Sequence, residues 1–174
     1  MLAPDDIPRF GRLGVIASMQ PSHAVEDMPW AEARLGPERI RGAYAWRALR
    51  QRGARLVFSS DLPATSYDIF YGLHSAITRQ DRAGNPPGGW YREQAMTPEE
   101  ALRGFTNWAA YAEFADARAG VLAPGKRADL TVLSIDPLAV GSDDPAALLR
   151  GRVALTVGGG RVVYEPPRRQ SASK

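Results

Sequence analysis

The sequence contains no cysteine, and it contains only two histidines, His23 and His74. The absence of cysteine excludes disulfide bonds and thiolate ligands to a metal. A self-sufficient zinc site usually takes three or four protein ligands, which are often histidines. Two histidines and some carboxylates could supply one in principle, but His23 and His74 do not share a helix turn. The sequence therefore shows no complete metal site of its own.

Long apolar runs are also absent, and no stretch approaches the roughly 20 residues of a membrane span. The N-terminal residues 1–6 are polar and acidic, which is unlike a signal peptide. These two features predict a cytoplasmic protein without a membrane partner.

The net charge of +3 comes from a short C-terminal stretch, residues 166–174, which carries Arg168, Arg169 and Lys174 and no acid. A basic excess can indicate binding to nucleic acid. Because residues 1–165 are balanced, we expect a disordered, solvated tail and no nucleic-acid partner.

The chain has 174 residues, which is enough for one domain with a core. It is too short for a complete (β/α)₈ barrel, which takes roughly 250 residues. Continuous apolar runs at residues 15–19 and 54–60 predict two strands that are buried on both faces, as in a parallel sheet. A short helix or lid over residues 27–34 and a helix over residues 37–51 are expected to connect them.

The second half of the chain has clear capping and turn signals. Asp68 is a plausible N-cap of a helix that ends near residue 80, and Thr97 and Glu100 have the spacing of a capping box. After Gly120 the pattern predicts a strand over residues 129–135 and a glycine-containing hairpin over residues 153–164. The predicted order is strand, helix, strand, helices and a small all-β part, so the fold class is α/β.

Asp61 is the strongest candidate for chemistry. It follows the second predicted strand and precedes Leu62 and Pro63. A carboxylate at the carboxyl end of a parallel strand can bind a metal or accept a proton from a metal-bound water. The alternative is an aspartate that only stabilises a turn or caps a helix.

The sequence predicts different roles for the two histidines. His23 follows the first predicted strand, so it could contact the substrate or support a metal ligand. It could equally be a surface histidine bonded to the backbone. His74 lies between apolar residues of a predicted helix, where a packed or surface histidine is expected.

Arg79, Trp90 and Tyr91 could line a pocket for an apolar or aromatic substrate. Ordinary loop packing is the alternative for all three. Two other enzyme classes are disfavoured, because the chain has neither a phosphate-binding Gly-Lys-Ser/Thr motif nor the Gly-x-Ser-x-Gly elbow of many serine hydrolases.

Eight stretches, in this order, resemble metal-dependent amidohydrolases of the subfamily that includes N-substituted formamide deformylases. They are LGVIASMQP at 13–21, RLGPER at 34–39, AYAWR at 43–47, SDLP at 60–63, TRQD at 78–81, GGW at 88–90, GVLAPGKRADLTVL at 120–133 and GGRVVYE at 159–165. No single stretch is decisive, and the resemblance depends on the ordered set.

This resemblance implies a fold in which the chain is the C-terminal fragment of a (β/α)₈ TIM barrel. Residues 1–119 would form the last two βα units, with residues 15–19 as the seventh strand and residues 56–58 as the eighth. Residues 120–165 would form C-terminal strands of a small flanking β-sandwich. Residues 166–174 would be the disordered basic tail.

The resemblance also implies hydrolysis of a non-peptide C–N bond, in a small-molecule amide or formamide, by metal-activated water. Asp61 would bind a divalent metal, expected to be zinc, and serve as the catalytic carboxylate. His23, Arg79 and Trp90 would contact the substrate. The His-x-His pair and the other histidines of such enzymes have no match here. We therefore expect the isolated chain to bind no metal and to be inactive.

Several origins and partners fit this interpretation. The chain could come from a truncated gene, a misplaced start codon or a split enzyme, with a missing N-terminal half or a partner chain completing it. Unpaired strand edges predict self-association, so a homo-oligomer is also expected. The alternative functions are a non-catalytic binding or scaffolding remnant, and a small metal-free enzyme that uses Asp61 and His23.

Overall fold

A computed structural model describes residues 1–167 and contains two short parallel strands, β1 (Ile16–Met19) and β2 (Arg55–Phe58). Their register places Ile16 beside Arg55 and Met19 beside Phe58. The predicted parallel pair is therefore confirmed. The prediction that the strands are buried on both faces is wrong, because Ser18 of β1 and Arg55 of β2 are exposed, whereas Ala17, Leu56 and Phe58 are buried.

The remaining elements follow the predicted order. The helices are α1 (Ile7–Leu13), α2 (Pro21–Arg39), α3 (Trp46–Gln51), α4 (Ile69–Thr78), α5 (Pro98–Phe105), α6 (Asn107–Ala112) and α7 (Pro137–Asp143). Strands β3 (Leu130–Leu133), β4 (Val153–Gly158) and β5 (Arg161–Tyr164) form a second, antiparallel sheet. Residues 168–174, which hold the charges of the predicted tail, lie outside the described residues.

The connection between β1 and β2 differs from the short helix or lid predicted over residues 27–34 and the helix predicted over residues 37–51. Helix α2 begins at Pro21, a residue type that suits the first turn of a helix, and it is interrupted at Gly36, where φ is +78°. The chain then leaves helical geometry because the backbone of Gly42 approaches that of Leu2, with Leu2 N donating to Gly42 O at 2.8 Å. A Cβ at position 42 would lie 1.9 Å from Leu2 O, so only glycine fits there.

The predicted caps are confirmed. Asp68 accepts hydrogen bonds from the backbone N–H groups of Phe70 and Tyr71 at the start of α4. Thr97 and Glu100 form both bonds of a capping box at the start of α5. Such caps typically contribute about 1 kcal/mol each, so they fix where these helices begin.

The core lies between β2 and the helices on its covered face. The rings of Trp46 and Phe58 have centroids 5.7 Å apart, as have those of Phe58 and Phe105. Gly104 allows α5 to approach closely, since a Cβ there would lie 2.3 Å from the Phe58 ring. The fully buried aliphatic residues of this core are Ile40, Leu49, Leu56, Leu73 and Leu148. Burial of such side chains stabilises the fold by roughly 1.5–3 kcal/mol each.

The second sheet has the order β3-β4-β5, and the predicted hairpin is confirmed with Gly159 and Gly160 in its turn. All four residues of β5 are exposed. Helix α7, which the sequence pattern did not predict, begins after the N-cap Asp136. The sheet is attached to the helical layer at Gly151, where a Cβ would lie 2.3 Å from the ring of Phe70.

No helix within residues 1–167 is long and apolar enough to cross a membrane.

Candidate active site

The candidate site lies at the carboxyl ends of β1 and β2. Because these strands are parallel, the segments that follow them meet at the same edge of the sheet. His23 lies in the first turn of α2, directly after β1, and Asp61 follows β2 after two serines. The topology therefore brings together two residues that the sequence had suggested separately.

His23 Nε2 lies 3.2 Å from Asp61 Oδ2, at hydrogen-bonding distance. The Asp61 side chain is 56% exposed and that of His23 is 26% exposed. An exposed carboxylate held by one imidazole keeps free lone pairs. Asp61 can thus accept another hydrogen bond or bind a cation while His23 restrains it.

The loop that carries Asp61 is held by hydroxyl groups. Thr65 Oγ1 donates to the carbonyl of Ser60 and lies 3.0 Å from Ser22 Oγ in a buried position. Gln20 Nε2 donates to Ser59 Oγ at 3.2 Å. These bonds join the loop after β2 to the start of α2, so they restrain Asp61 and His23 relative to each other.

The backbone of Asp61 itself is left-handed, with φ of +59°. An aspartate tolerates this conformation better than most residues do. Its carbonyl accepts a hydrogen bond from Ala64 N at 2.7 Å, which closes a tight turn. Asp61 can therefore close the turn with its backbone and still have a chemical role, since its side chain is left free at the end of the strand.

A small cavity of about 110 Å³ adjoins this loop. Its walls combine hydroxyl groups of the two connecting segments with apolar groups of α4 and α5: Ser22, Ser59, Ser60, Ile69 and Phe105 are among them. The sequence analysis missed Ser22 and Thr65. Pro21 could have indicated the position of Ser22, because proline is common at the first position of a helix. Ser22 would then lie in the first turn of a helix that begins directly after β1.

The donor set is incomplete for a metal. A carboxylate and an imidazole are both ligands that zinc accepts, but a zinc site takes three or four protein ligands or three plus water. Among residues 1–167 there is no group of three or more His, Cys, Asp or Glu side chains that could hold a metal ion. Asp61 and His23 fit part of such a site, and the other ligands are not among the described residues.

Arg79 and Trp90 lie against each other. The fully buried Arg79 guanidinium donates from Nε to Trp90 O at 2.8 Å and from Nη1 to Tyr44 O at 3.1 Å. It stacks over the rings of Trp46 and Trp90, at 4.4 and 5.2 Å from their centroids. Burial lowers the pKa of Arg79 to about 10, so it stays protonated at neutral pH. The structure shows packing contacts for both residues, and their substrate-binding role stays a prediction.

Tyr44 connects this cluster to the helix that carries His23. Its hydroxyl donates to Asp27 Oδ2, and Asp27 lies one turn after His23 in α2. Burial raises the pKa of Tyr44, and the hydrogen bond to Asp27 raises it further. The phenol therefore stays protonated and holds α2 against the Arg79 cluster.

His74 is 1% exposed and lies inside α4, which confirms the expectation of a packed histidine. Burial lowers its pKa, and the charge of Arg82 lowers it further. His74 is therefore a neutral side chain that packs inside the protein, and it is not a metal ligand of the candidate site.

Comparison with known proteins gives a match over nearly the whole chain. The model of the amidohydrolase family matches residues 1–164. Bacillus subtilis YtcJ is 32% identical over 159 residues, which are 91% of this chain and 30% of that protein. The N-substituted formamide deformylase of Arthrobacter pascens is 34% identical over 92 residues, which are 53% of this chain and 16% of that enzyme.

The fold is also similar to that of solved structures. An uncharacterized metal-dependent hydrolase from Pyrococcus horikoshii has a TM-score of 0.70 and 29% identity. The similarity covers 83% of this chain and 29% of that protein. The chain thus spans less than a third of the length of each of these three proteins.

Proposed function

The chain belongs to the amidohydrolase family, and we propose that it contributes Asp61 and His23 to a metal-dependent hydrolase that cleaves a non-peptide C–N bond in a small molecule. Residues 1–119 would serve as the last two βα units of a barrel, and residues 120–165 as C-terminal strands of a flanking β-sandwich. The cytoplasmic location stays a prediction.

One observation carries this proposal, namely the pairing of His23 and Asp61 at the carboxyl ends of two parallel strands. This edge is where α/β barrels gather their reactive groups. An exposed carboxylate with a histidine partner at this edge can carry out the proton transfers that hydrolysis of an amide requires.

Asp61 would act as the general base and then as the general acid. Its free carboxylate oxygen would take a proton from the attacking water and later deliver it to the leaving nitrogen. His23 would hold the other oxygen through Nε2, which keeps the carboxylate aimed at the reacting atoms. A divalent metal, when bound, polarises the substrate carbonyl and lowers the pKa of water.

The metal would need further ligands from polypeptide beyond the described residues, because Asp61 and His23 offer two donors at most. Zinc is the metal we propose, on the basis of one carboxylate and one imidazole donor. The substrate class we propose is an amide or formamide, supported by the name of the Arthrobacter relative.

A second candidate function is a non-catalytic binding or scaffolding half that pairs with another chain. The observation that favours it is the absence of a three-ligand group in residues 1–167. The two candidates differ in whether Asp61 matters for turnover once the missing ligands are supplied.

A chimera tests the proposal. The segment of the Arthrobacter deformylase that matches this chain would be replaced by this chain, and release of formate from an N-substituted formamide would be measured. We expect turnover that depends on added zinc. A folded, zinc-loaded chimera without turnover of formamides or other amides would favour the non-catalytic function instead.

A further inference from the structure

Helix α2 carries His23, and two side-chain hydrogen bonds hold its first two turns. Ser22 Oγ lies 3.0 Å from Thr65 Oγ1, which joins the start of the helix to the loop after β2. Further along the same helix, Asp27 Oδ2 accepts a hydrogen bond from the hydroxyl of Tyr44. These two points of the helix are about 7.5 Å apart along its axis, and His23 lies between them.

The remaining contacts of these turns have no preferred direction. Ala24 and Val25 are buried, but apolar contacts press the helix onto the core without fixing its rotation about its own axis. Pro29 has no backbone N–H, so the hydrogen bond to the carbonyl of Val25 is missing at that point of the helix. A helix that is fixed at one residue can still turn about that residue. The bond at Asp27 therefore determines the rotation of the turn that carries His23.

Tyr44 is itself held in one conformation. Its backbone is left-handed, with φ of +50°, which is unfavourable for a residue other than glycine. Its carbonyl accepts hydrogen bonds from Trp46 N at 3.0 Å and from Nη1 of the buried Arg79 at 3.1 Å. Its ring centroid lies 6.1 Å from that of Trp90. Strained residues of this kind persist where the surroundings fix them, and here the result is a phenol directed at Asp27.

We propose that Asp27 and Tyr44 are positioning residues of the candidate active site. Neither touches the reacting atoms. Tyr44 fixes Asp27, and α2 transmits this restraint to His23 one turn earlier. His23 in turn keeps the carboxylate of Asp61 directed at the substrate. The catalytic consequence rests on the proposed function, whereas the effect on His23 exists without any turnover.

The first test therefore uses NMR of the 174-residue chain and needs no activity. The chain has only two histidines, so it gives two imidazole signals, which His74→Gln assigns. Asp61→Asn should shift the imidazole signal of His23, because this ring bonds to the Asp61 carboxylate. Tyr44→Phe and Asp27→Ala should shift the same signal in the same direction, because the rotated helix weakens that bond.

Two further variants are the controls. Asp27→Asn keeps an oxygen that can accept the Tyr44 hydroxyl, so the His23 signal should stay close to its original position. Tyr71→Phe removes the hydroxyl of a buried tyrosine on α4 and should not move the His23 signal. A His23 signal that Tyr44→Phe and Asp27→Ala both leave in place overturns the inference. So does a His23 signal that Asp61→Asn does not move.

The second test separates positioning from a purely structural role. In the deformylase chimera, Tyr44→Phe and Asp27→Ala should lower kcat about tenfold and leave KM nearly unchanged, because a misdirected group slows the chemical step. When His23→Ala is already present, Tyr44→Phe should have little further effect, because its action passes through His23. Equal losses of kcat with and without His23 would overturn the inference. A chimera without turnover counts against the proposed function, and the NMR signals then decide the inference alone.

Discussion

His23 Nε2 and Asp61 Oδ2 lie 3.2 Å apart although 38 residues separate them in the chain. Two features produce this proximity: the parallel pairing of β1 with β2, and the hydroxyl contacts of Ser22, Thr65 and Ser60 that join the segments after each strand. The pair is therefore a product of the sheet topology.

Asp61→Asn should abolish most of the turnover of the deformylase chimera and leave its fold intact. Asparagine has nearly the same shape as aspartate but cannot act as a base, so we expect turnover to fall by roughly 10²-fold or more. Steady-state kinetics and the melting temperature measure the two effects. Asp143→Asn, at an exposed position of α7, is the control. Near-normal turnover in a folded Asp61→Asn chimera would remove Asp61 from the mechanism.

Zinc should bind the 174-residue chain only weakly. Asp61 and His23 provide two ligands, whereas tight structural sites use three or four. Isothermal titration with zinc chloride is the measurement, and His23→Ala should weaken the remaining signal further. Stoichiometric zinc that survives dialysis against a weak chelator would show that other residues complete the site.

Glu100 should stabilise the fold in a pH-dependent way. Burial alone would raise its pKa, but hydrogen bonds from Arg47 and the Thr97 backbone outweigh burial and lower it below 4.5. Because the pKa of Glu100 is lower in the folded state, its contribution to stability is fully present above the unfolded-state pKa of about 4.3. This contribution is lost as the pH falls through the folded-state pKa. Glu100→Gln should therefore cost about 1–3 kcal/mol at pH 7 and less below pH 4.

Urea unfolding at several pH values measures this difference. Glu99→Gln is the control, because Glu99 is 65% exposed and pairs only with Arg103 four residues on. Such a surface pair contributes about 0.5 kcal/mol or less. Equal losses for the two variants would mean that the capping box and the Arg47 contact add nothing.

His74 should make the chain less stable in mild acid. Burial, and then the charge of Arg82, lower its pKa below 6.5, so the unfolded state takes up a proton more readily. The free energy of unfolding is therefore unaffected by His74 above about pH 6.5. It decreases as the pH drops from there toward the lower pKa that His74 has in the folded state. In His74→Gln, the free energy of unfolding should change less between pH 7.5 and 5.5. Parallel pH profiles for the two proteins would contradict this.

Arg79→Met should destabilise the chain by about 2–4 kcal/mol, because it leaves the carbonyls of Tyr44 and Trp90 without their donors in a buried position. Arg82→Met, at a half-exposed site, is the control and should cost about 1 kcal/mol or less. The midpoints of urea unfolding measure the loss of stability in both variants. If Arg79→Met keeps its stability and instead raises KM in the chimera, then Arg79 acts on the substrate as the sequence analysis predicted.

Local signals in the sequence were sufficient to predict a helix start or a turn where one or two residues determine it. Asp68 and the Thr97–Glu100 pair predict helix starts because their side chains bind nearby backbone groups. The hairpin turn follows from Gly159 and Gly160, which accept positive φ. Asp61 was a candidate from the sequence because it follows the apolar run of residues 54–60.

Contacts between distant segments were not predictable in this way. The helix predicted over residues 37–51 is interrupted because Gly42 packs against Leu2, which no local pattern reveals. Arg79 resembles a loop residue in the sequence, yet it adopts a left-handed conformation that ends α4 and places it among two tryptophans.

The close approach at Gly151 has a mechanical consequence. The Phe70 ring fills the space that a side chain at position 151 would occupy, and Leu148 is fully buried nearby. Helix α4 begins at Asp68, at the end of the loop that carries Asp61. A side chain at position 151 would therefore displace Phe70 and with it the first turn of α4, which adjoins the segment that positions the carboxylate.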